Sequence, residues 1–572
     1  MYLDFEVEIP VVPGKISRFT KGDTVYVRYV AGRTYHPDKK YNIPTHKVIG
    51  KLPNPDSDRM IPNENFMLYF GDTDLPELKY DASRSSCIRI GAFLVIRKII
   101  EEYELPGMLM KYFDAKDAGL LLDLAVYSLV TENNAAQYYP SYAYNHPLMT
   151  EKMHIYSDTK ISEFLSSVTD DQRIGFLNDW NEGRDHRERI YISYDSTNKN
   201  SQAGDLEMVE FGHPKEDRGL PVFNYSIAYD VNNDIPLFYE EYPGSIVDVT
   251  QLQIMLEKAE AYGYRHVGFI LDRGYFSKEN IKYMDACGFD FVIMVKGMAS
   301  FVRELVEEVH GTFENKRDYS IRKYKAYGTT VKRKLFASDE KERYFHIYYS
   351  DQKASAEREH IESRIEHAEA ALNRLRGKAV SPNCGYNEYF HLEVYDKDGT
   401  LVGAREKKEV IEKALQLCGY FVVVTSERMT AKEALELYKS RDTSEKLFRG
   451  DKSYLGNKSL RVQSNESTAA KIFIEFIALI IRSRIYVMLR EEKKRLEHDY
   501  NYMTVPAAIH ELEKIEMIRG MDGKYHMDHA VTKTQKVILG AFRMDNNSVR
   551  NRARELSEYL KSERQALFYT VW

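Results

Sequence analysis

RHVGFILDRGYFSKENIKYMDACGFDFVIMVKG runs from Arg265 to Gly297. HVGFILD is an apolar run too short for a buried helix, and it ends on an acid, Asp272. SKENIKYMDACG then carries apolar residues at helical spacing, and DFVIMVKG is a second apolar run after Gly288. Strand, short helix, strand is the pattern of a β–α unit in a sheet covered by helices. Upstream, ERIYISYD, PVFNYSIAYD and IPLFYEEY read as three strands, the first ending at Asp195. VNND, a turn-forming cluster, joins the last two. A helix is expected over VTQLQIMLEKAEAYG. A three-stranded meander followed by two β–α units gives a mixed sheet, so the fold class is α/β.

Working outward, residues 1–75 alternate in DTVYVRYVAGRTY and THKVIGKL and read as an N-terminal β module. Residues 76–185 turn helical, with apolar spacings of three and four in IRIGAFLVIRKIIEEYELPGMLMKYF and AGLLLDLAVYSLV. Beyond the core's first half, 186–300, the rhythm breaks. Long antiparallel strands are expected across Tyr319–Asp351, a charged helix near 356–376, and a hairpin with DG at its turn in EYFHLEVYDKDGTLVG. We read 301–418 as a mostly β insertion between two halves of one catalytic domain. GYFVVVTSE opens the second half, 419–495, and 496–572 forms a helical C-terminal region.

The chain has 572 residues and a net charge of −6. The acidic excess lies between mildly basic ends: residues 1–60 hold 10 Lys/Arg against 7 Asp/Glu, and 482–572 hold 17 against 13. Nucleic-acid contact at either end is compatible with that distribution. Four scattered cysteines with no CxxC pair suit a reducing, cytoplasmic setting and argue against a zinc ribbon. The most apolar run, IFIEFIALII, is too short to span a bilayer and contains Glu475, so a buried core helix is expected and no membrane.

Two acids, Asp195 and Asp272, close predicted strands, where function gathers in open α/β sheets. A third, Glu445, lies in YKSRDTSEKLFRGDKSYLGNKS, Tyr438–Ser459, on a helix that Thr430 and Glu433 cap. At about 100° per residue, Tyr438, Arg441, Glu445 and Lys452 fall within roughly a 60° arc of such a helix. Three converging carboxylates repel by several kcal/mol unless a divalent cation sits among them, as two carboxylates about 4 Å apart already cost roughly 4 kcal/mol at an effective dielectric near 20. All-oxygen ligands favour Mg²⁺ or Mn²⁺, and two such ions suit phosphodiester chemistry.

Tyr438, Arg441, Glu445 and Lys452 match Y-x2-R-x3-E-x6-K, ISYDSTN matches a first acidic strand and FILDRGYFS a second. In these motifs the chain resembles the IS4-like DDE transposases. KVIGKL, DRMIPNENF and, more loosely, TKTQKVILGAFRM resemble the IS1634-type branch. The resemblance implies an RNase H-like core, with Asp195, Asp272 and Glu445 as ligands of two Mg²⁺ ions that Mn²⁺ replaces. It implies that Tyr438, Arg441 and Lys452 hold the backbone of double-stranded DNA near the cut end. Cleavage at element ends and strand transfer by a homodimer on DNA follow. His213 and Arg218, in the long loop GHPKEDRGLP, are weaker candidates for DNA contact. The insertion holds no tryptophan; Tyr324, Tyr327, Tyr344, Tyr348 and Tyr349 are its candidates for stacking on a base. The rival readings are a nuclease of the same fold without strand transfer and a non-catalytic DNA-binding protein descended from a transposase.

Overall fold

A computed structural model describes the chain except at residues 1, 4, 72–83, 185–188, 201–205, 207, 212–220, 247, 297, 382–384, 395–398, 443–459, 463, 499 and 570–572. The chain divides into two compact units, one chiefly Met1–Phe176 with Glu466–Trp572, the other chiefly Leu177–Lys452.

The second unit is built on one nine-stranded sheet. Its first strands are β1 (Ile190–Asn200), β2 (Val222–Asp230) and β3 (Ile235–Pro243), an antiparallel meander. The β2–β3 turn is fixed by Asp230, whose Oδ1 accepts from the backbone N–H of Asn232 at 2.9 Å and Asn233 at 3.1 Å. Helix α1 (Asp248–Ala261) leads to β4 (Val267–Leu271), and α2 (Lys278–Cys287) leads to β5 (Asp290–Met294). Ser277 caps α2, and Gly288, at φ +72°, ends it in the left-handed region where a side chain would be strained. β4 lies parallel to both β1 and β5. All five residues of β4 are buried, which is why it reads as an unbroken apolar run; all nine of β2 are buried as well, the polar Asn224, Ser226 and Asp230 among them.

After α3 (Ala299–Val309) come β6 (Ser320–Ile321), β7 (Ala326–Arg333) and β8 (Arg343–Tyr349), then α4 (Asp351–Leu375), β9 (Phe390–Val394), β10 (Leu401–Glu406) and α5 (Lys408–Gln416). β11 (Tyr420–Thr425) and α6 (Ala431–Ser440) close the unit's described elements. The sheet order is β6-β7-β8-β11-β5-β4-β1-β2-β3. β9 and β10 form a separate hairpin.

Two expectations are corrected here. β1 does not end at Asp195. It runs to Asn200 because β2 pairs with it as far as Asn200↔Val222, whereas its pairing with β4 stops at Tyr194. Nor is 301–418 mostly β: α3, α4 and α5 span 11, 25 and 9 residues, more than its strands together. A two-stranded hairpin buries too little to stand alone. Ile365 and Leu372 of α4 and Ile411 of α5 therefore close over Phe390 and Leu401. The strands at 320–349 add directly to the main sheet through β8–β11.

In the first unit, an antiparallel sheet comprises Val7–Glu8, Ile16–Lys21, Thr24–His36, Tyr41–Lys51 and Arg59–Pro62. Its core is Val27, Ile49, Met60 and Phe66. Helices dominate from Gly91 to Ser167. Cys87–Arg89 pairs with Glu516–Arg519, joining segments far apart in the sequence. IFIEFIALII is buried throughout, inside the helix Asn465–Leu496. No helix among the described residues is long and apolar enough to cross a membrane.

Candidate active site

The site is set by the register of two parallel strands. Each rung from Val267↔Ile190 to Leu271↔Tyr194 pairs β4 with β1. Asp272 keeps an extended backbone, φ −69° and ψ 156°, so one step further the ladder brings it beside Asp195. Neighbouring strands lie about 4.8 Å apart, and facing residues of a parallel pair point to the same side of the sheet. Continued by that one step, the register would set both carboxylates on the same face of the sheet. β4 then leaves the sheet in a tight turn closed by the Tyr275 N–H on the Asp272 carbonyl, 3.0 Å. β1 carries on with β2 alone, so Asp195 lies where the sheet opens between β1 and β4. Its Oδ1 accepts from the Ser196 N–H at 2.9 Å.

Close strand approach at this point depends on Gly268. A Cβ there would stand 2.3 Å from the ring of Tyr191, its rung partner on β1. The same face receives α6. Thr430 and Glu433 form the expected capping box at its start. Leu435 and Tyr438 pack with Ile270, Val292, Tyr348 and Val423, so the helix is laid across β4, β5, β8 and β11. Ile270 is two residues before Asp272, and Tyr438 is three before Arg441. This shared cluster brings the end of α6 to the end of β4.

Arg441, the C-cap residue of α6, donates from Nη1 to Asp272 Oδ1 in an ion pair. The arginine side chain is 14% exposed and the aspartate 39%. Burial works to raise the Asp272 carboxyl, but the Arg441 guanidinium, helped by Arg273, outweighs it and holds the group below the ordinary carboxylate range. Asp272 is thus ionised at neutral pH. Arg273 was not singled out as a site residue from the sequence, although it stands inside the FILDRGYFS motif. The Arg441 guanidinium also lies over the Tyr438 ring, 5.2 Å from its centre, a cation–π contact. Tyr438 itself is only 4% exposed.

The structure thus brings together Asp272, Arg441 and Tyr438, while Asp195 follows the last rung, Leu271↔Tyr194, on the neighbouring strand. Glu445, Lys452, His213 and Arg218 lie outside the described residues. Among the described residues no cluster of three His, Cys, Asp or Glu side chains is arranged to hold a metal. The donor types fit a hard divalent cation nonetheless, since the carboxylates of Asp195 and Asp272 offer only oxygen ligands. Of the insertion's tyrosines, Tyr348 is fully buried and donates to the Ala431 carbonyl at 2.7 Å, so it is a structural contact to α6. Tyr344 is half-buried on β8, with Lys332 Nζ 5.9 Å from its ring centre.

Residues 193–481, half of the chain, match the family model described as "Transposase DDE domain". No curated protein matches the chain. Among solved structures, the chain is similar to the piggyBac transposase synaptic complex with hairpin DNA, determined by cryo-EM. That match has 8% identity over 74% of this chain and 79% of that one, with a TM-score of 0.35.

Proposed function

The chain belongs to the transposase DDE domain family, and from that premise we propose that it cuts double-stranded DNA at the ends of a mobile element and joins the freed ends to target DNA. The observation that supports this reading is the ion pair of Arg441 with Asp272 just past the parallel pairing of β4 with β1, whose last rung, Leu271↔Tyr194, directly precedes both aspartates. An RNase H-like core is supported by the order β3-β2-β1-β4-β5, with three antiparallel strands followed by two parallel to the first.

Asp195, Asp272 and Glu445 would hold two Mg²⁺ ions, with Mn²⁺ able to replace them. Ions bound there would supply Lewis-acid stabilisation of the attacking and leaving oxygens of an in-line displacement. The chain's own residues do the rest. Arg441 keeps Asp272 deprotonated and, with Lys452, offers cationic donors to backbone phosphates near the cut. Tyr438 acts beneath Arg441, fixing the guanidinium over its ring. His213 and Arg218 remain weaker candidates for contacts along the same DNA. In the first step water attacks phosphorus and the 3′ oxygen leaves as a hydroxyl. In the second that hydroxyl attacks a target phosphodiester, forming one P–O bond as another breaks. Two ends need two sites, so a homodimer on DNA is expected.

The test uses end-labelled DNA that flanks this gene in its source genome, incubated with the purified protein and Mg²⁺. Cuts at the borders of flanking inverted repeats, and joined products in a target plasmid, are expected from wild type and absent from Asp195→Asn, Asp272→Asn and Glu445→Ala. Equal cutting by wild type and the three variants would overturn the site. Cutting without joined products would reduce the protein to a nuclease.

A further inference from the structure

The first unit carries a long β-ribbon that its own sheet does not support. Thr24–His36 and Tyr41–Lys51 pair from Tyr26↔Lys51 out to His36↔Tyr41. The strand on one side, Ile16–Lys21, reaches only to Tyr29, and Lys15 adds a last bond to Val30. The strand on the other side pairs only with Gly50 and Lys51. From Gly32↔Thr45 to His36↔Tyr41 the two strands are, among the described residues, partnered by each other alone. At about 3.4 Å per residue this arm extends roughly 14 Å before its turn. The register shifts between Val30 and Gly32, a bulge at the root of the arm, and such irregularities bend a ribbon and re-aim it.

No residue of the arm is fully buried. Arg33, Thr34, Tyr35, Lys39, Lys40, Tyr41, Asn42, Thr45, His46 and Lys47 are all exposed. Both faces of the ribbon are therefore solvent-facing. An isolated two-stranded ribbon gains little stability from folding. The charges have one sign: Arg33, Lys39, Lys40 and Lys47 stand against Asp38 alone between positions 31 and 47, and Asp38 lies 3.9 Å from His36. Two tyrosines, Tyr35 at 59% and Tyr41 at 55% exposure, sit among these cations.

We propose that this arm, residues 31–47, is a DNA-contacting element that lies in the major groove of duplex DNA, an inference that rests on the transposase reading above. A two-stranded ribbon fits a groove about 12 Å wide. Arg33, Lys39, Lys40 and Lys47 are placed to reach the phosphates of the groove walls, and Tyr35 and Tyr41 supply flat contacts within it. Membrane binding would require an apolar face that the arm lacks.

The experiment measures binding of the full-length protein to a fluorescent duplex carrying the element border, over a series of KCl concentrations. The variants are Arg33→Ala/Lys39→Ala/Lys40→Ala and a deletion that joins Gly32 to Thr45 through Asn-Gly. Each lost phosphate contact lowers the salt slope by about 0.9, so the triple variant should lose roughly 2 to 3 units of slope. Tyr35→Ala should weaken binding equally at all salt concentrations. An unchanged slope in both arm variants would overturn the proposal. So would an unchanged slope accompanied by loss of self-association, which would make the arm a contact between copies. If wild type itself fails to bind the border duplex or any other, the transposase reading fails and not the arm alone. If wild type cuts borders and the arm variants bind and cut as wild type does, only the arm proposal fails.

Discussion

Replacing Arg441 with glutamine should move two affinities in opposite directions. The guanidinium now holds Asp272, whose side chain is 39% exposed. A divalent ion on the same carboxylate would stand within about 5 Å of that cation, given usual metal–oxygen and hydrogen-bond lengths. Charges of +2 and +1 at that separation repel by about 2 kcal/mol at the water-like end of the dielectric range, the appropriate end for a carboxylate this exposed. Arg441→Gln should therefore bind Mn²⁺ more tightly than wild type in the absence of DNA, by roughly tenfold. Removal of the arginine also lets burial prevail at Asp272, so its carboxyl should rise from its depressed position. A depressed carboxylate adds stability above its unfolded value near 3.8 and loses it as pH falls through its folded value. Mn²⁺ binding by the variant should accordingly weaken at a higher pH than in wild type. Duplex DNA should bind the variant less tightly, with a salt slope smaller by about 1. Electron paramagnetic resonance of free Mn²⁺ reads the first effect directly, with Asp272→Asn as the variant in which the site is lost. Mn²⁺ affinity that stays the same or weakens in Arg441→Gln would refute the proposed role of the Asp272 carboxylate as a metal ligand beside the arginine.

Three further outcomes follow from single residues. Gly268→Ala should lower the thermal midpoint and cleavage together, because its Cβ would stand 2.3 Å from the Tyr191 ring and push β4 from β1. Adding Tyr191→Ala should restore part of both, and simple additivity would count against the clash. Asp123 is fully buried and accepts from the backbone N–H groups of Met149 and Thr150 at 2.6 and 3.0 Å; burial pushes its carboxyl up to about 7. Its contribution to stability is complete below the unfolded value near 3.8 and is lost as pH rises through about 7, so wild type should lose about 2–3 kcal/mol relative to Asp123→Asn between pH 5 and 8. Thermal midpoints of the two proteins that differ equally at both pH values would refute this. Lys452→Ala should lower the salt slope of duplex binding by about 1, and an unchanged slope would remove it from the backbone contacts.

What could be read from the sequence was local. VGFIL followed by Asp272 marks a buried strand and its polar end, because every residue of the strand faces apolar neighbours. VNND declares its turn because Asp230 can satisfy the two following N–H groups itself. Thr430 and Glu433 likewise announce the start of α6. The misplaced end of β1 had no local cause. Residues 196–200 are as polar as a loop, and they stay extended because β2 supplies their partners. The same holds for β7 and β8, whose alternation shows a hairpin but not that its free edge meets β11. The single helix expected to carry Tyr438, Arg441, Glu445 and Lys452 ends at Ser440 with Arg441 as its cap, and an angular alignment says nothing of depth. Tyr438 belongs to the core, and Arg441 rests above it.

The segment between β5 and β11 bears on the position of Arg441 through a single strand. β11 is held between β5 and β8, and α6 follows it after a short connection. Without the β7–β8 hairpin, β11 would be an edge strand with one partner, and α6 would lose its contacts with Tyr348 and with the Ala326 end of β7. Those contacts, including the Tyr348 hydroxyl on the Ala431 carbonyl, fix the start of α6 some ten residues before Arg441. A helix rises about 1.5 Å per residue, so a small tilt at Ala431 becomes a displacement of several ångströms at the guanidinium. The ion pair with Asp272 tolerates far less than that. Substitutions that loosen the hairpin, well away from either aspartate, therefore act on the same carboxylate as Arg441 does.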